Sequence, residues 1–282
     1  MVATAHMKGK TKIISVIGPT ASGKSSRALA LARERGGEVI SVDSRQVYRM
    51  LDIGTEKITK EEMGGIPHYL IDIRDPKESY SAGDFAEDAA RLIDDMVARG
   101  KTPILAGGSH FYFDALVYGI PKDIPMNYPL RDELEKMTDE ELFAEVRKKD
   151  PRRAEELDPK NRRRMVRALE IIEQEGFVPE RVREARYDVE WVVLLPEREE
   201  LRARIETRLK ETLEKGLIEE VKTVREYVGD DRLNELGLEY RIVGEYLRGE
   251  RDEASLLPAL TSSLFQYARR QEAWMRKLTS LN

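Results

Sequence analysis

Residues 18–25 read Gly-Pro-Thr-Ala-Ser-Gly-Lys-Ser, the spacing G-x-x-x-x-G-K-[ST] of a phosphate-binding loop. Gly18 and Gly23 allow the backbone to bend so that the N–H groups between them, those of Thr20, Ala21 and Ser22 included, face inward. The helix that follows adds positive potential, and the loop becomes an anion nest. Lys24 supplies a mobile cation. The Ser25 hydroxyl is placed to ligate a Mg²⁺ ion carried on phosphate oxygens. The expected ligand is a di- or triphosphate; the loop alone does not distinguish ATP from another phosphate ester.

A second candidate group is a carboxylate. Glu38-Val39-Ile40-Ser41-Val42-Asp43 reads as a strand that ends in an acid, followed by Ser44-Arg45-Gln46-Val47-Tyr48. In an open parallel sheet ligands gather at the carboxyl ends of strands, so Asp43 is expected near the loop. Besides catalysis, an acid there can serve as a helix N-cap or as a Mg²⁺ ligand.

The elements around these residues fit that placement. Lys12–Ile17 is an apolar, β-branched strand, and Ser26–Arg33 is rich in helix formers. Ser81–Arg99 has Phe85, Ala89, Leu92, Ile93, Met96 and Val97 at helical spacing, and Thr102–Ala106 is another buried strand that ends at Gly107-Gly108-Ser109. His68–Asp72 reads as a short strand and Glu190–Pro196 as a returning one, with helices over 199–215, 217–228, 239–248 and 253–278. Strands alternating with helices predict an α/β fold, a P-loop NTPase-like parallel sheet flanked by helices. From Pro121 the texture changes: prolines at 121, 125 and 129 precede long charged helices, Arg131–Asp150 and Arg152–Gly176. The expected organisation is a catalytic core over 11–122 and 188–282, a helical insertion over 123–187, and a helical C-terminal part. Residues 1–10 read as a disordered tail or tag.

Composition removes several classes. The 282 residues contain no cysteine and only His6, His68 and His110, which excludes disulfides, thiolate chemistry and a histidine-rich metal site. No run of about 18 apolar residues and no signal peptide is present, so a soluble cytoplasmic protein with no membrane association is expected. Net charge is −5, which excludes a globally basic nucleic-acid binder. Residues 147–186, however, hold 13 Lys/Arg against 9 Asp/Glu, a local excess of 4. Such a run is commonly a solvated helix face; its contrast with the rest of the chain also fits a phosphate-backbone contact surface.

In this order the motifs resemble the tRNA dimethylallyltransferase (tRNA isopentenyltransferase) family. The resemblance rests on residues 18–25, Asp43–Tyr48, Gly54-Thr55-Glu56-Lys57, His68–Asp72, Gly107-Gly108-Ser109 with Tyr112, Arg164–Glu170, Glu239-Tyr240-Arg241 and Arg269–Trp274, and so spans roughly residues 12–278. It implies transfer of a dimethylallyl group from dimethylallyl diphosphate to N6 of adenosine 37 in tRNA, with diphosphate released and ATP not consumed. It implies Asp43 as general base, with Thr20 and Lys24 also catalytic. Gly18 and Thr20 to Ser25 would hold the diphosphate together with an arginine, Arg208 in first place and Arg204 in second, and Ser25 the Mg²⁺. The implied tRNA contacts are Asp43, Ser44, Arg45, Gln46, Ser109, Arg131, Arg163, Arg164, Arg167, and Tyr240 and Arg241 within 236–241, with the insertion gripping the anticodon stem-loop. The expected active form is a monomer. The chain departs from the family pattern at Ser109, where threonine is usual, at His110 and Phe111, where smaller residues would leave a wider channel, and at Glu239, where glycine is usual.

Three other readings share parts of this pattern. An adenylate isopentenyltransferase would use the loop and Asp43 but needs no basic insertion. A small-metabolite kinase would use ATP. A non-catalytic RNA-binding protein would need no acid at a strand end.

Overall fold

The computed structural model describes residues 9–119, 127–180 and 184–279. Residues 1–8, Pro121 and Pro125 lie outside the described residues. The chain divides into two compact units, Met1–Gly119 with Ala185–Asn282, and Ile120–Glu184.

The first unit is built on a five-stranded parallel sheet: β1 (Lys12–Ile17), β2 (Gly37–Val42), β3 (His68–Tyr69), β4 (Thr102–Gly107) and β5 (Asp188–Val193), in the order β3-β2-β4-β1-β5. Successive residues of β1 point to opposite faces. Ile13 and Ile17 enter the larger core, while Ile14 and Val16 enter a smaller one with Ala28, Leu31 and Ala32 of α1 (Lys24–Arg35). The short helix α2 (Lys60–Met63) precedes β3, and α3 (Ala82–Ala98) and α4 (His110–Tyr118) cover the larger face. In α3, Phe85, Ala89, Ile93 and Met96 are buried as their spacing predicts, whereas Val97 is exposed. The last helices, α9 (Arg198–Glu214), α10 (Leu217–Val228), α11 (Asp230–Glu235), α12 (Leu238–Leu247) and α13 (Glu253–Thr279), join the same core. The chain leaves this unit after α4 and returns just before β5, where the Arg186 N–H donates to the Val117 carbonyl at 2.8 Å.

The strand expected over 68–72 stops at Tyr69. Leu70 and Asp72 have φ of 61° and 57°, in the left-handed region, which no strand continues through. α11 was not among the expected elements.

Among its described residues the second unit contains four helices, α5 (Tyr128–Leu134), α6 (Asp139–Lys149), α7 (Pro151–Glu156) and α8 (Arg162–Glu175), in place of the two expected. Local caps make the breaks. Thr138 and Glu141 form a capping box, Asp150 caps a helix whose first residue is Pro151, and the Asn161 side chain accepts from the Arg164 N–H. Leu142, Val146, Met165, Leu169 and Ile172 form a core internal to this unit.

Candidate active site

The phosphate loop joins β1 to α1 at the carboxyl edge of the sheet. A side chain at position 18 could not fit, since its Cβ would lie 2.3 Å from Ser22 Oγ and 2.8 Å from the Leu194 carbonyl. Gly23 turns the chain into the helix at φ 85°, and Ala21 is held at φ 60°, a left-handed conformation that costs a residue with a Cβ about 1–2 kcal/mol. Strain of this kind gathers at ligand-binding loops. Ser22 Oγ is buried and has no hydrogen-bond partner among the described residues. The loop is clamped from the far end of the chain: Thr20 N–H donates to Gln271 Oε1 at 3.1 Å, and Gln271 Nε2 donates to the Gly108 carbonyl at 3.0 Å.

Two cations face the loop. Lys24 Nζ donates to the Pro19 carbonyl at 2.7 Å. Burial lowers its pKa to about 8, against the opposing pull of Asp43; Arg208 lowers it further and Glu56 raises it. Arg208, from α9, donates through Nη1 to Thr20 Oγ1 at 2.7 Å and is ion-paired with Glu56. Arg204 lines the same cavity, but its guanidinium is bonded to Glu200 at 2.7 Å. The cavity measures about 660 Å³ and also takes in Ser25 and Asp43. A second cavity, about 170 Å³, shares Thr20, Lys24, Asp43, Thr55 and Arg208 with the first and is lined beyond them by Leu236, Leu264 and Tyr267 among others. Asp43 thus borders both spaces.

Asp43 follows the last residue of β2. Its Oδ1 accepts from the N–H groups of Arg45, at 2.8 Å, and Gln46, at 3.3 Å, while Oδ2 accepts no bond among the described residues. The neighbouring expected RNA contacts are engaged within the fold. Ser44 N–H donates to Ser109 Oγ at 3.0 Å. Gln46 Nε2 donates to the carbonyls of Thr55 and Glu56, and Gln46 Oε1 accepts from Ser41 Oγ at 3.0 Å. Both side chains therefore fix the shape of the Asp43 turn. Arg45 lines the smaller cavity. Tyr240 is 1% exposed, and its hydroxyl donates to Glu220 at 2.6 Å, whereas Arg241 is half-exposed. His110 packs on Phe111 and Trp274 with ring centroids 4.1 and 5.5 Å away, and neither His110 nor Phe111 lines either cavity.

Sequence reasoning gave three acids here no role in the site. Glu56 meets Arg208. Glu239 lines the smaller cavity, and burial pushes its carboxyl up to about 7, opposed by its own backbone N–H and by Arg208 and reinforced by Asp43 and Glu56. Glu220 accepts from the N–H groups of Asp52, Ile53 and Gly54 at 2.7–3.0 Å and holds the segment that carries Glu56. Each contact joins residues far apart in sequence, and local pattern carries no signal for it.

In the helical unit the expected basic face is largely engaged in ion pairs. Arg131 donates to Glu170 through Nε and Nη2 at 2.7 and 3.0 Å, and Arg167 Nη1 donates to the same carboxylate at 3.2 Å. The Glu170 side chain is fully buried; burial alone would raise its pKa, but Arg131, the Asn127 N–H and Arg167 bring it below the usual range. Arg162 binds Glu135 and Asp139. Arg163 and Arg164 are exposed.

Among known proteins, the family model for IPP transferases matches residues 46–278. A tRNA dimethylallyltransferase of Anoxybacillus flavithermus is 39% identical over 271 residues, 94% of this chain and 87% of the relative. The solved structure of full-length tRNA isopentenylpyrophosphate transferase from Bacillus halodurans matches with a TM-score of 0.72 at 38% identity, over 95% of this chain and 87% of its own. A eukaryotic dimethylallyltransferase solved acting on tRNA matches with a TM-score of 0.82 at 30% identity, over 94% of this chain and 70% of its own.

Proposed function

We propose, for a chain that belongs to the IPP transferase family, that it moves the dimethylallyl group of dimethylallyl diphosphate onto N6 of adenosine 37 in tRNA. The observation that supports this most is the position of Asp43 on the border of two cavities that share Thr20, Lys24 and Arg208, one running along the phosphate loop and the other reaching to Leu236, Leu238, Leu264, Tyr240 and Tyr267. Donor and acceptor would meet at that carboxylate.

In this reading the allylic C–O bond breaks and its electron pair leaves with the diphosphate. The loop N–H groups, Lys24, Arg208 and the Thr20 hydroxyl face the charge that develops there. The N6 lone pair, delocalised into the adenine ring, is a weak nucleophile until its proton is drawn off. Asp43 accepts that proton as the N–C bond forms, for a gain of about 10²–10⁴-fold. The two backbone bonds to Oδ1 orient the carboxylate, and Oδ2 is the oxygen left to accept. A Mg²⁺ ion would be held by the Ser25 hydroxyl, which lines the cavity beside the loop, and would supply positive charge to the leaving diphosphate. The adenine must leave its stack to reach the site. We assign the grip on the anticodon stem to the helical unit, with Arg163 and Arg164 among its exposed cations.

The experiment incubates the protein and Mg²⁺ with labelled dimethylallyl diphosphate and an anticodon stem-loop carrying A36-A37-A38, with AMP in parallel. Label should enter the RNA, disappear with an A37→G substrate, and fall about 10²–10⁴-fold with Asp43→Ala. Label in AMP alone would assign the chain to adenylate prenylation. Unchanged turnover in Asp43→Ala would remove Asp43 as the base.

A further inference from the structure

Glu56 stands against the cations that the proposed function gives to the diphosphate. Its carboxylate is ion-paired with the Arg208 guanidinium, whose Nη1 is bonded to Thr20 Oγ1. Burial pushes this carboxyl above the usual range, against the pull of Arg208, Lys24 and Lys215. The Arg208 side chain is 18% exposed and that of Glu56 38% exposed, so the acid has a way out to solvent that the guanidinium lacks.

The backbone beneath Glu56 is fixed from several sides. Glu220 accepts the N–H groups of Asp52, Ile53 and Gly54. Gln46 Nε2 donates to the carbonyls of Thr55 and Glu56 at 3.1 and 3.3 Å. The Lys57 ammonium donates to the Tyr48 carbonyl at 2.9 Å and pairs with Asp52 and Asp72. Glu56 itself sits at φ 50°, a left-handed conformation that persists where the surroundings over-determine it. Rotation about the side-chain bonds of Glu56 is therefore enough to break the pair with Arg208, while the loop stays in place.

We propose that Glu56 competes with the diphosphate for Arg208. The carboxylate swings off the guanidinium as the donor's diphosphate binds and returns as the diphosphate product leaves, which weakens the site's hold on product and favours its release. The chemistry of the exchange is even-handed: a guanidinium takes a carboxylate or a phosphate through the same charge-assisted hydrogen bonds, so an incoming phosphate must repay the pair it breaks. Because Glu56 is partly open to water, the effect is expected to be modest, about three- to tenfold in affinity. The proposal rests on the reading of this cradle as a diphosphate site.

The test is calorimetric titration of inorganic pyrophosphate, with Mg²⁺, into the full chain and into Glu56→Gln, Glu56→Ala, Arg208→Gln and the Glu56→Gln/Arg208→Gln double variant. Both Glu56 variants should bind pyrophosphate about three- to tenfold more tightly and show stronger product inhibition in turnover. In the Arg208→Gln background the Glu56 substitution should change nothing, since the competition is for that guanidinium. Unchanged affinity in both Glu56 variants overturns the proposal. Weaker affinity also overturns it and makes Glu56 a ligand of the metal–diphosphate instead. Failure of the unaltered chain to bind pyrophosphate takes down the diphosphate reading, and the competition with it.

Discussion

The arginines and lysines of the two units serve opposite ends. In the helical unit Arg131 and Arg167 close on the buried carboxylate of Glu170, and Arg162 bridges Glu135 and Asp139, so those charges hold helices together. In the sheet unit Lys24 and Arg208 are turned toward a cavity, and Lys24 is kept there although burial works against its charge. A count of basic residues made the first region look like the binding surface. Among the described residues Arg131, Arg152, Arg153, Arg162 and Arg167 of that unit are ion-paired with its own acids, while Lys24 and Arg208 line the cavity of the phosphate loop.

The contrast can be broken most sharply at Lys24. Lys24→Met should reduce kcat/KM about 10²–10³-fold, as loss of a preorganised donor to developing charge does, while leaving the melting temperature equal or higher, because a buried charge has been removed. A parallel fall in stability would contradict the division drawn here. Arg131→Ala should do the reverse. It strands Glu170, and because Arg131 is a third exposed the loss should lie at the low end for a broken buried pair, about 3 kcal/mol by urea denaturation. Single-turnover chemistry at saturating RNA should stay within a few-fold.

A third expectation concerns acid rather than base. The Glu239 carboxyl is raised from 4.5 to about 7 in the folded chain. Between those values the folded protein holds a proton that the unfolded chain has released, so the stabilisation is fully present below about pH 4.5 and is lost as pH rises to about 7. Denaturation at pH 5 and 7.5 should show a difference that Glu239→Gln flattens, on the order of 1 kcal/mol after solvent screening. The smallest effect is reserved for the exposed cations. Arg163→Ala should leave stability alone, weaken stem-loop binding only a few-fold, and lower the slope of log affinity against log salt by about 1.

How much of this could be read from the chain depended on the reach of each signal. The phosphate loop, β1, α1 and Asp43 are local patterns: a glycine-bounded motif, a continuous apolar strand, an acid after a strand. Their places in the structure follow from the parallel sheet they imply. The helix break expected at Asp150-Pro151 is present, and those at Thr138 and Asn161 were also written locally, as a capping box and a cap, but were hidden by a charge pattern that runs smoothly across them. β3 ended early because Leu70 turns left-handed, a conformation that leucine does not announce. The braces of the site were beyond local reading. Gln271 meets Thr20 across 251 positions and Glu220 meets Ile53 across 167, and only the packed core brings them together.

The hydrogen bond between Arg186 and Val117 has a consequence for how such a molecule could be rebuilt. The chain ends that flank the helical unit are already stitched together within the sheet unit, so the catalytic half does not depend on the excursion for closure of its own backbone. The excursion can be regarded as a cassette: it could be lengthened, shortened or exchanged for another at that seam while the backbone of the sheet unit stays closed.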